Sequence, residues 1–413
     1  MTDPAPDPAT SEPDQTPNVG GKRPVIRLRP KAGGRFFAGA PWVYANELVL
    51  DRRARNLQPG VIATLEDAER KPVATVAVNV ESRIAARRLD APDVEIDTAW
   101  LRTRLAAALR LRERLFDEPF YRLVHAEADG LPGLVIDRFG DAVVAQPNAA
   151  WVERLRTALL AALEQTVGPQ VVVWNGGSRA RALEGLPQEV RLLKGALDAP
   201  IETPMNGALY LADLLGGQKT GLFFDQRPNH AFAARLAGGA RVLDVFSHVG
   251  GFGLAALAGG AREALLVDAS EPALDLARQG AERMGVADRI TTRRGDAFDV
   301  MRGLREEGAQ FDLVVCDPPA FAPNKGALEQ GLRAYEKTAR LGAALTAPGG
   351  FFVFCSCSHA VDVAMLQQTA SEALRRSRRG GRLLRVGGAG PDHPIHPHLG
   401  ETGYLKALFY QLD

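Results

Sequence analysis

From residue 231 onward the chain alternates two apolar rhythms. Runs of strand length occur at Arg241-Val-Leu-Asp-Val245, Ala264-Leu-Leu-Val-Asp268 and Phe311-Asp-Leu-Val-Val-Cys316, and a further strand ends in Phe354-Cys355-Ser356-Cys357-Ser358. Between them apolar residues recur at helical spacing, most clearly over Pro272–Arg283 and Gly331–Ala347. That alternation predicts an α/β layer with a mainly parallel sheet. Upstream the pattern differs. Over 23–90, short apolar runs such as Val61–Leu65 and Val73–Val78 are broken by Gly and Pro, which predicts a small β-barrel. Asp97–Leu115 shows helical spacing with Arg on the opposite face. Strands are expected at Leu134–Ile136, Ala142–Gln146 and Val171–Trp174, with a helix over Ala150–Gln165, giving a small α/β module that ends near 195. Residues 196–230 read as strand-like pieces and a loop leading into the last sheet, and no internal repeat is visible. The expected division is a disordered tail at 1–22, a barrel at 23–90, a central α/β domain at 91–195 and a large α/β domain at 196–413.

The chemistry gathers where the later strands end. In a doubly wound sheet ligands bind outside the carboxyl ends of the strands, so the tails after each run converge on one crevice. A dinucleotide fold would place Gly-x-Gly-x-x-Gly after the first strand, so that backbone amides reach a pyrophosphate. Here Asp244 closes the strand and Ser247-His248-Val249-Gly250-Gly251-Phe252-Gly253 forms the turn. A carboxylate there repels pyrophosphate and suits the cationic end of S-adenosylmethionine, with Ser247 and Gly250 in the same turn as binding candidates. Asp268, closing the next strand, is placed to take the two hydroxyls of a ribose, and Asp296 to accept from the adenine amino group.

Composition narrows this picture without deciding it. At 413 residues the chain has room for two or three domains. The three cysteines, Cys316, Cys355 and Cys357, all lie near the expected site and do not form a disulfide framework. No apolar run reaches membrane-span length and no signal peptide precedes the fold, so a cytoplasmic protein without a membrane partner is expected. Net charge is only +1; residues 1–20 hold five prolines and four acidic groups with no basic ones, and the rest carries 50 basic against 45 acidic side chains. Arginine clusters at 52, 53 and 55, at 83, 87 and 88, and at 375, 376, 378, 379, 382 and 385 suit phosphate contact. Yet 42 of the 50 basic residues are Arg, so the bias pervades the chain and charge permits an RNA partner without requiring one. His393, His396 and His398 lack carboxylates at ligand spacing and read as a structured loop near the pocket, with no metal.

Asp317-Pro-Pro-Ala-Phe321 is the discriminating segment, because two prolines directly after a buried strand stop its ladder and stiffen the exit. With the other tails, with Gly217-Gln218-Lys219-Thr220-Gly221-Leu-Phe-Phe-Asp225-Gln226-Arg227, and with Gly403-Tyr404-Leu405-Lys406, the chain resembles the class I methyltransferases that act on cytosine C5 of bacterial large-subunit ribosomal RNA. Ala40-Pro41-Trp42-Val43-Tyr44-Ala45-Asn46-Glu47 is similar to the opening of a PUA domain, and residues 121–133 resemble the family's central domain. The resemblance implies a Rossmann-like methyltransferase sheet, S-adenosylmethionine as cofactor, and 23S ribosomal RNA or a large-subunit precursor as partner. It implies that Asp317 faces the target base and accepts from an exocyclic amine, with Phe321 stacking on the ring. Lys219 and Arg227 are candidate contacts to the cofactor carboxylate or an RNA phosphate. Oligomeric state stays open, a homodimer included.

Cytosine C5 is too electron-poor to take a methyl group unaided, and a thiolate added at C6 makes it enamine-like; cysteine suits both addition and departure. Cys357 stands at the family's position for that nucleophile. Strand alternation alone places Cys355 and Cys357 on one face, and Cys357 is preferred because it lies further toward the carboxyl end. A related group of enzymes carries a second cysteine where this chain has Ala320, so the acceptor of the C5 proton is left among Asp317, a water and Cys355. Two other functions compete: methylation of a guanine N2 amino group, which needs no cysteine, and an inactive RNA-binding assembly factor, against which the intact Asp244, Asp268, Asp317 and Cys357 argue.

Overall fold

The computed structural model describes residues 23–217 and 221–413; the expected tail, 1–22, and Lys219 lie outside the described residues. The N-terminal sheet has five strands in the order Val25–Arg27, Val61–Glu66, Pro72–Val78, Ile84–Asp90, Trp42–Tyr44. Its two edges meet beyond the strand ends, where Leu28 bridges Leu48 and Arg29 N donates to Glu47 O (2.8 Å), so the sheet curls almost into a barrel. A second five-stranded sheet, ordered Val190–Lys194, Val171–Asn175, Ala142–Pro147, Leu134–Phe139, Phe120–His125, carries the helix Thr98–Leu115, capped by the Asp97 carboxylate on Trp100 N. The helix expected over Ala150–Gln165 is broken at Leu155 into Ala150–Arg154 and Arg156–Thr166. Glu153, just before the break, accepts from Arg181 Nη1 (2.9 Å) and Trp174 Nε1 (3.3 Å). A hairpin, Ile201–Met205 and Ala208–Ala212, turns through Asn206 and Gly207, both at positive φ, as a two-residue hairpin turn favours.

The third sheet positions the site. Its strands are β1 (Arg241–Val245), β2 (Glu263–Asp268), β3 (Ile290–Arg294), β4 (Phe311–Cys316), β5 (Thr346–Ser356), β6 (Gly381–Gly387) and β7 (Lys406–Leu412). They lie in the order β3-β2-β1-β4-β5-β7-β6, all parallel except β7, which is antiparallel to both neighbours. Connecting helices are α1 (Gly251–Ala258), α2 (Glu271–Arg283), α3 (Ala297–Glu306), α4 (Leu328–Leu345) and α5 (Val363–Arg376). α4 starts a few residues before the expected Gly331 and stops at Leu345, because Thr346 turns extended (φ −81°, ψ 125°) to begin β5. Alternation along the strands divides the core. Val242, Leu313, Val315, Val353 and Cys355 pack on one face, and Leu243, Val314, Cys316, Phe352 and Phe354 on the other. The strand order reverses between β1 and β4, and the crevice opens at their carboxyl ends.

Buried ion pairs join the three layers. Glu184, 3% exposed, accepts from Asn79, Ser82 and Arg87 of the N-terminal sheet. Arg112, wholly buried, grips Asp129 through both oxygens (2.6 and 2.7 Å) and donates to Asp392 O, while Asp392 Oδ2 accepts from Arg122 N (3.0 Å). His393 packs on the His125 ring (centroids 5.0 Å apart), and burial pushes the two imidazoles down to about 3 and about 2. The histidine loop is thus anchored to the central module at its start. Several expected phosphate contacts are spent on structure as well. Arg88 lies 3.9 Å over the Phe36 ring, Arg379 donates to the carbonyls of Ala343 and Thr346, and Arg375 pairs with Glu372. Arg52, Arg53, Arg55 and Arg83 remain exposed. No described helix is long and apolar enough to cross a membrane.

Candidate active site

A cavity of about 470 Å³ opens at the carboxyl ends of β1, β2, β4 and β5. Its first wall is built where β1 turns into α1. Phe246 (φ 64°) and His248 (φ 51°) both take left-handed backbone, an uncommon state for residues with a Cβ, and Phe246 N and Ser247 N are held on Val267 O. Gly250 (φ 82°) caps α1, and a Cβ there would lie 2.8 Å from Leu266 Cδ2; it supports the turn and is not among the residues lining the cavity. Gly251 does line it, and a Cβ at that position would reach to 2.7 Å from His230 Nε2.

Asp244, Ser247, Asp268 and Asp296 all line the cavity. Asp244 is 1% exposed; its Oδ2 accepts from Gly253 N (2.8 Å), and its Oδ1 is buried with no hydrogen-bond partner. Burial, with Asp268 adding to it, pushes this carboxyl up to about 7. Asp268 is oriented by His248 N on Oδ2 (2.9 Å) and Ser270 N on Oδ1 (2.8 Å). Asp296 caps α3, its Oδ1 accepting from Phe298 N and Asp299 N. Among the described residues the lining holds five aspartates and no Lys or Arg. An acidic cavity with an unsatisfied buried carboxylate oxygen fits a cationic ligand and opposes a pyrophosphate.

The second wall comes from the tail of β4, the end of β5 and the segment before the helix Arg227–Leu236. Asp317, Pro318, Pro319, Ala320 and Cys357 line it with Asp225, Gln226 and His230. Gln226 Nε2 donates to Asp317 Oδ2 (2.9 Å), and Asn229 Nδ2 donates to Gln226 Oε1 (2.7 Å), which fixes the amide so that its NH₂ faces Asp317. Asp225 accepts from Tyr404 Oη (2.5 Å) through Oδ2, while its Oδ1 is buried without a hydrogen-bond partner. Cys357 is half-buried, with Sγ 4.0 Å from Pro318 O. Cys355 is wholly buried in the core face that also holds Val315 and Val353, and burial pushes its thiol far up. It does not line the cavity. Cys316 packs on the opposite face.

Two sequence candidates sit elsewhere. The Phe321 ring packs among Phe246, Phe298 and Tyr335 (centroids 6.3, 6.2 and 5.0 Å away) and backs the wall instead of lining it. Pro-Pro turns the chain so that Ala320 faces the cavity while the aromatic falls behind it. Arg227 lies 4.3 Å over the Phe116 ring and donates to Phe120 O, tying the catalytic domain to the central module. It does not line the cavity. Asp225 and Gln226, overlooked as site residues, stand in the motif that ends at Arg227, and His230 follows three residues later; Asp225 and Gln226 find Tyr404 and Asp317 far along the chain, so no local pattern marked them.

Residues 191–395 match the family described as S-adenosylmethionine-dependent methyltransferase, and residues 26–91 match a PUA-like domain. A putative SAM-dependent methyltransferase from Streptococcus mutans aligns with a TM-score of 0.79 at 18% identity, covering 94% of this chain and 100% of that one. A putative methyltransferase complexed with SAH aligns at 0.80 and 19%, with the same coverage; at such identities the likeness is one of fold. The cofactor is S-adenosylmethionine, and the acidic cavity suits it. The ribosomal RNA large subunit methyltransferase I of Erwinia tasmaniensis is 34% identical over 374 residues, covering 89% of this chain and 94% of that protein. That of Aeromonas hydrophila is 36% identical over 377 residues with the same coverage. With such identity along nearly its whole length, the chain belongs to the ribosomal RNA large subunit methyltransferase I family.

Proposed function

We propose that this protein methylates C5 of a cytosine in large-subunit ribosomal RNA, with Cys357 as the nucleophile. The observation that carries the proposal is the sorting of the three cysteines: Cys316 and Cys355 are wholly buried, and Cys357 alone lines the cavity, on the wall that also presents Asp317. Amino methylation would have no use for a thiol at that place.

Asp244 and Ser247 hold the cationic amino-acid end of the cofactor, Asp268 its ribose hydroxyls and Asp296 its adenine amine. Bound there, S-adenosylmethionine supplies an electrophilic methyl group on a sulfonium. The Cys357 thiolate would add to C6 of the base, and the electron pair displaced to C5 would take the methyl group as its bond to the sulfonium breaks and the cofactor leaves as a neutral thioether. C5 then loses its proton, and return of that electron pair expels the thiolate and restores the ring. Asp317, held by Gln226 beside the thiol, accepts from the cytosine 4-amino group, and either it or a water takes the C5 proton. Proline-stiffened backbone keeps these groups in register, so little ordering is left to the moment of reaction. The RNA is expected to reach this cavity along the PUA-like domain and its exposed Arg52, Arg53 and Arg55.

The test is nucleoside mass spectrometry of unmodified 23S ribosomal RNA treated with the protein and labelled S-adenosylmethionine. Label in 5-methylcytosine, lost with Cys357→Ala, supports the proposal. Label in N2-methylguanine, retained by Cys357→Ala, replaces it with amino methylation.

A further inference from the structure

We propose that Lys406 is a positioning residue for the reaction, its buried ammonium holding Cys357 as a thiolate. The inference rests on Cys357 being the nucleophile. Lys406 opens β7 and lies directly across the ladder from Ser356, the residue before Cys357. Its side chain turns toward the residue after the cysteine: Nζ donates to Ser358 O (2.7 Å) and to Tyr404 O (2.7 Å). Lys406 is 4% exposed, and among the described residues it forms no ion pair with a carboxylate. Two carbonyls satisfy two of its three protons but none of its charge. A buried cation without a counter-ion is costly, and a thiolate beside it removes that cost.

The rest of the surroundings show why such a cation is needed. Pro318 O, 4.0 Å from the sulfur, favours the protonated thiol, and the Asp317 carboxylate on the same wall opposes a second negative charge. Tyr335, which bonds the hydroxyls of both Ser356 and Ser358, and Tyr404 are neutral, since burial pushes both phenols up. His359 is exposed, with Nδ1 on Glu401 O, and the Asp362 carboxylate is near enough for its charge to act on Lys406. Lys406 is thus a buried cation fixed on the residue after the cysteine and opposite the residue before it. Burial lowers its own ammonium to about 8 while the charges of Cys357 and Asp362 act in the opposite sense, so it stays largely protonated at neutral pH. The hydrogen bonds of Tyr335 with Ser356 and Ser358 fix the residues on either side of the cysteine.

The experiment is alkylation of the full-length protein by iodoacetamide across about pH 5 to 10, with the rate at Cys357 read by peptide mass. In wild type the midpoint should lie below the ordinary thiol value of about 8.5. Lys406→Met should raise it by about one unit and slow alkylation at pH 7 about tenfold, whereas Lys406→Arg should stay near wild type. The acidic limb of the methyl-transfer rate should move with it. An equal midpoint in wild type and Lys406→Met overturns the inference. If Lys406→Met unfolds, shown by labelling of Cys316 and Cys355, the wild-type midpoint decides alone, and a value at or above about 8.5 overturns it. Activity of Cys357→Ala is measured separately: if it survives, the nucleophile reading fails, whatever the thiol midpoints show.

Discussion

The two walls of the cavity are built in opposite ways. On the wall formed by β1, β2 and the start of α3, each carboxylate is held by backbone amides no more than twenty residues away in the chain. Gly253 N holds Asp244 nine residues away, Ser270 N holds Asp268, and Phe298 N holds Asp296. On the wall formed by β4, β5 and β7, the polar groups are held across long intervals. Gln226 reaches Asp317 over 91 residues, Tyr404 reaches Asp225 over 179, and Lys406 reaches Ser358 over 48. The first wall is a set of turns that forms wherever the strand ends do. The second exists only when the whole domain has closed. The first suits a small cofactor bound by rigid local geometry, and the second suits chemistry on a base delivered by a large substrate.

Substitutions on the two walls should separate accordingly. Cys357→Ala is the largest: methyl transfer should fall by at least about a thousandfold, since only the covalent route is removed, while S-adenosylmethionine affinity stays at the wild-type value. Isothermal calorimetry beside a methyl-transfer assay measures both, and equal losses in the two would erase the distinction between the walls. Asp268→Ala should do the reverse, weakening cofactor binding by ~1–3 kcal/mol while saturating cofactor restores most of the rate. Gln226→Ala removes the amide's hydrogen bond to Asp317 and should cost about tenfold in turnover, about 1.4 kcal/mol for one lost charge-assisted hydrogen bond, with cofactor affinity nearly unchanged. A cofactor effect larger than the turnover effect would place Gln226 on the donor side.

The smallest effect is on stability. Burial raises Asp244 to about 7 in the folded protein, from an ordinary carboxylate value near 4 when unfolded. Folding then favours the protonated form, so this group's contribution is intact below about pH 4 and is lost as pH rises toward 7. Asp244→Asn cannot ionise. Without cofactor it should melt a few degrees above wild type at pH 8 and show no such gain at pH 4 to 5. The rise in melting temperature that S-adenosylmethionine gives should shrink at the same time. Calorimetric scans at the two pH values check the sign; a gain confined to low pH would contradict the burial account.

The same contrast explains what the sequence disclosed. Strands β1, β2, β4 and β5 and helices α2 and α4 were legible because buried parallel strands are continuous apolar runs and amphipathic helices repeat apolar residues at helical spacing. Asp244 and Asp268 were legible for the same reason, as each ends an apolar run, whereas the strand before Asp296 is Ile290-Thr-Thr-Arg-Arg294 and only the Gly295-Asp296 pair marks that position. Gln226 and Lys406 were not, since nothing near them in the chain records a partner 91 or 48 residues away. Phe321 and Arg227 were misplaced because residue type was read without direction. Phe321 turns behind the Pro-Pro wall, and Arg227 turns out toward Phe116 in the central module. Arg87, counted as a phosphate contact, is consumed by Glu184, which lies 97 residues away.

The central claim, a covalent bond between Cys357 and the target base, has a direct measurement. Large-subunit RNA carrying 5-fluorocytosine at the target position is incubated with the protein and S-adenosylmethionine, then run on a denaturing gel. Fluorine cannot leave C5 as a proton would, so the adduct should persist. The account predicts a protein–RNA band whose cross-linked peptide contains Cys357 and which is absent with Cys357→Ala. A methylated product without any such band, or a cross-link mapped to a different residue, would contradict it.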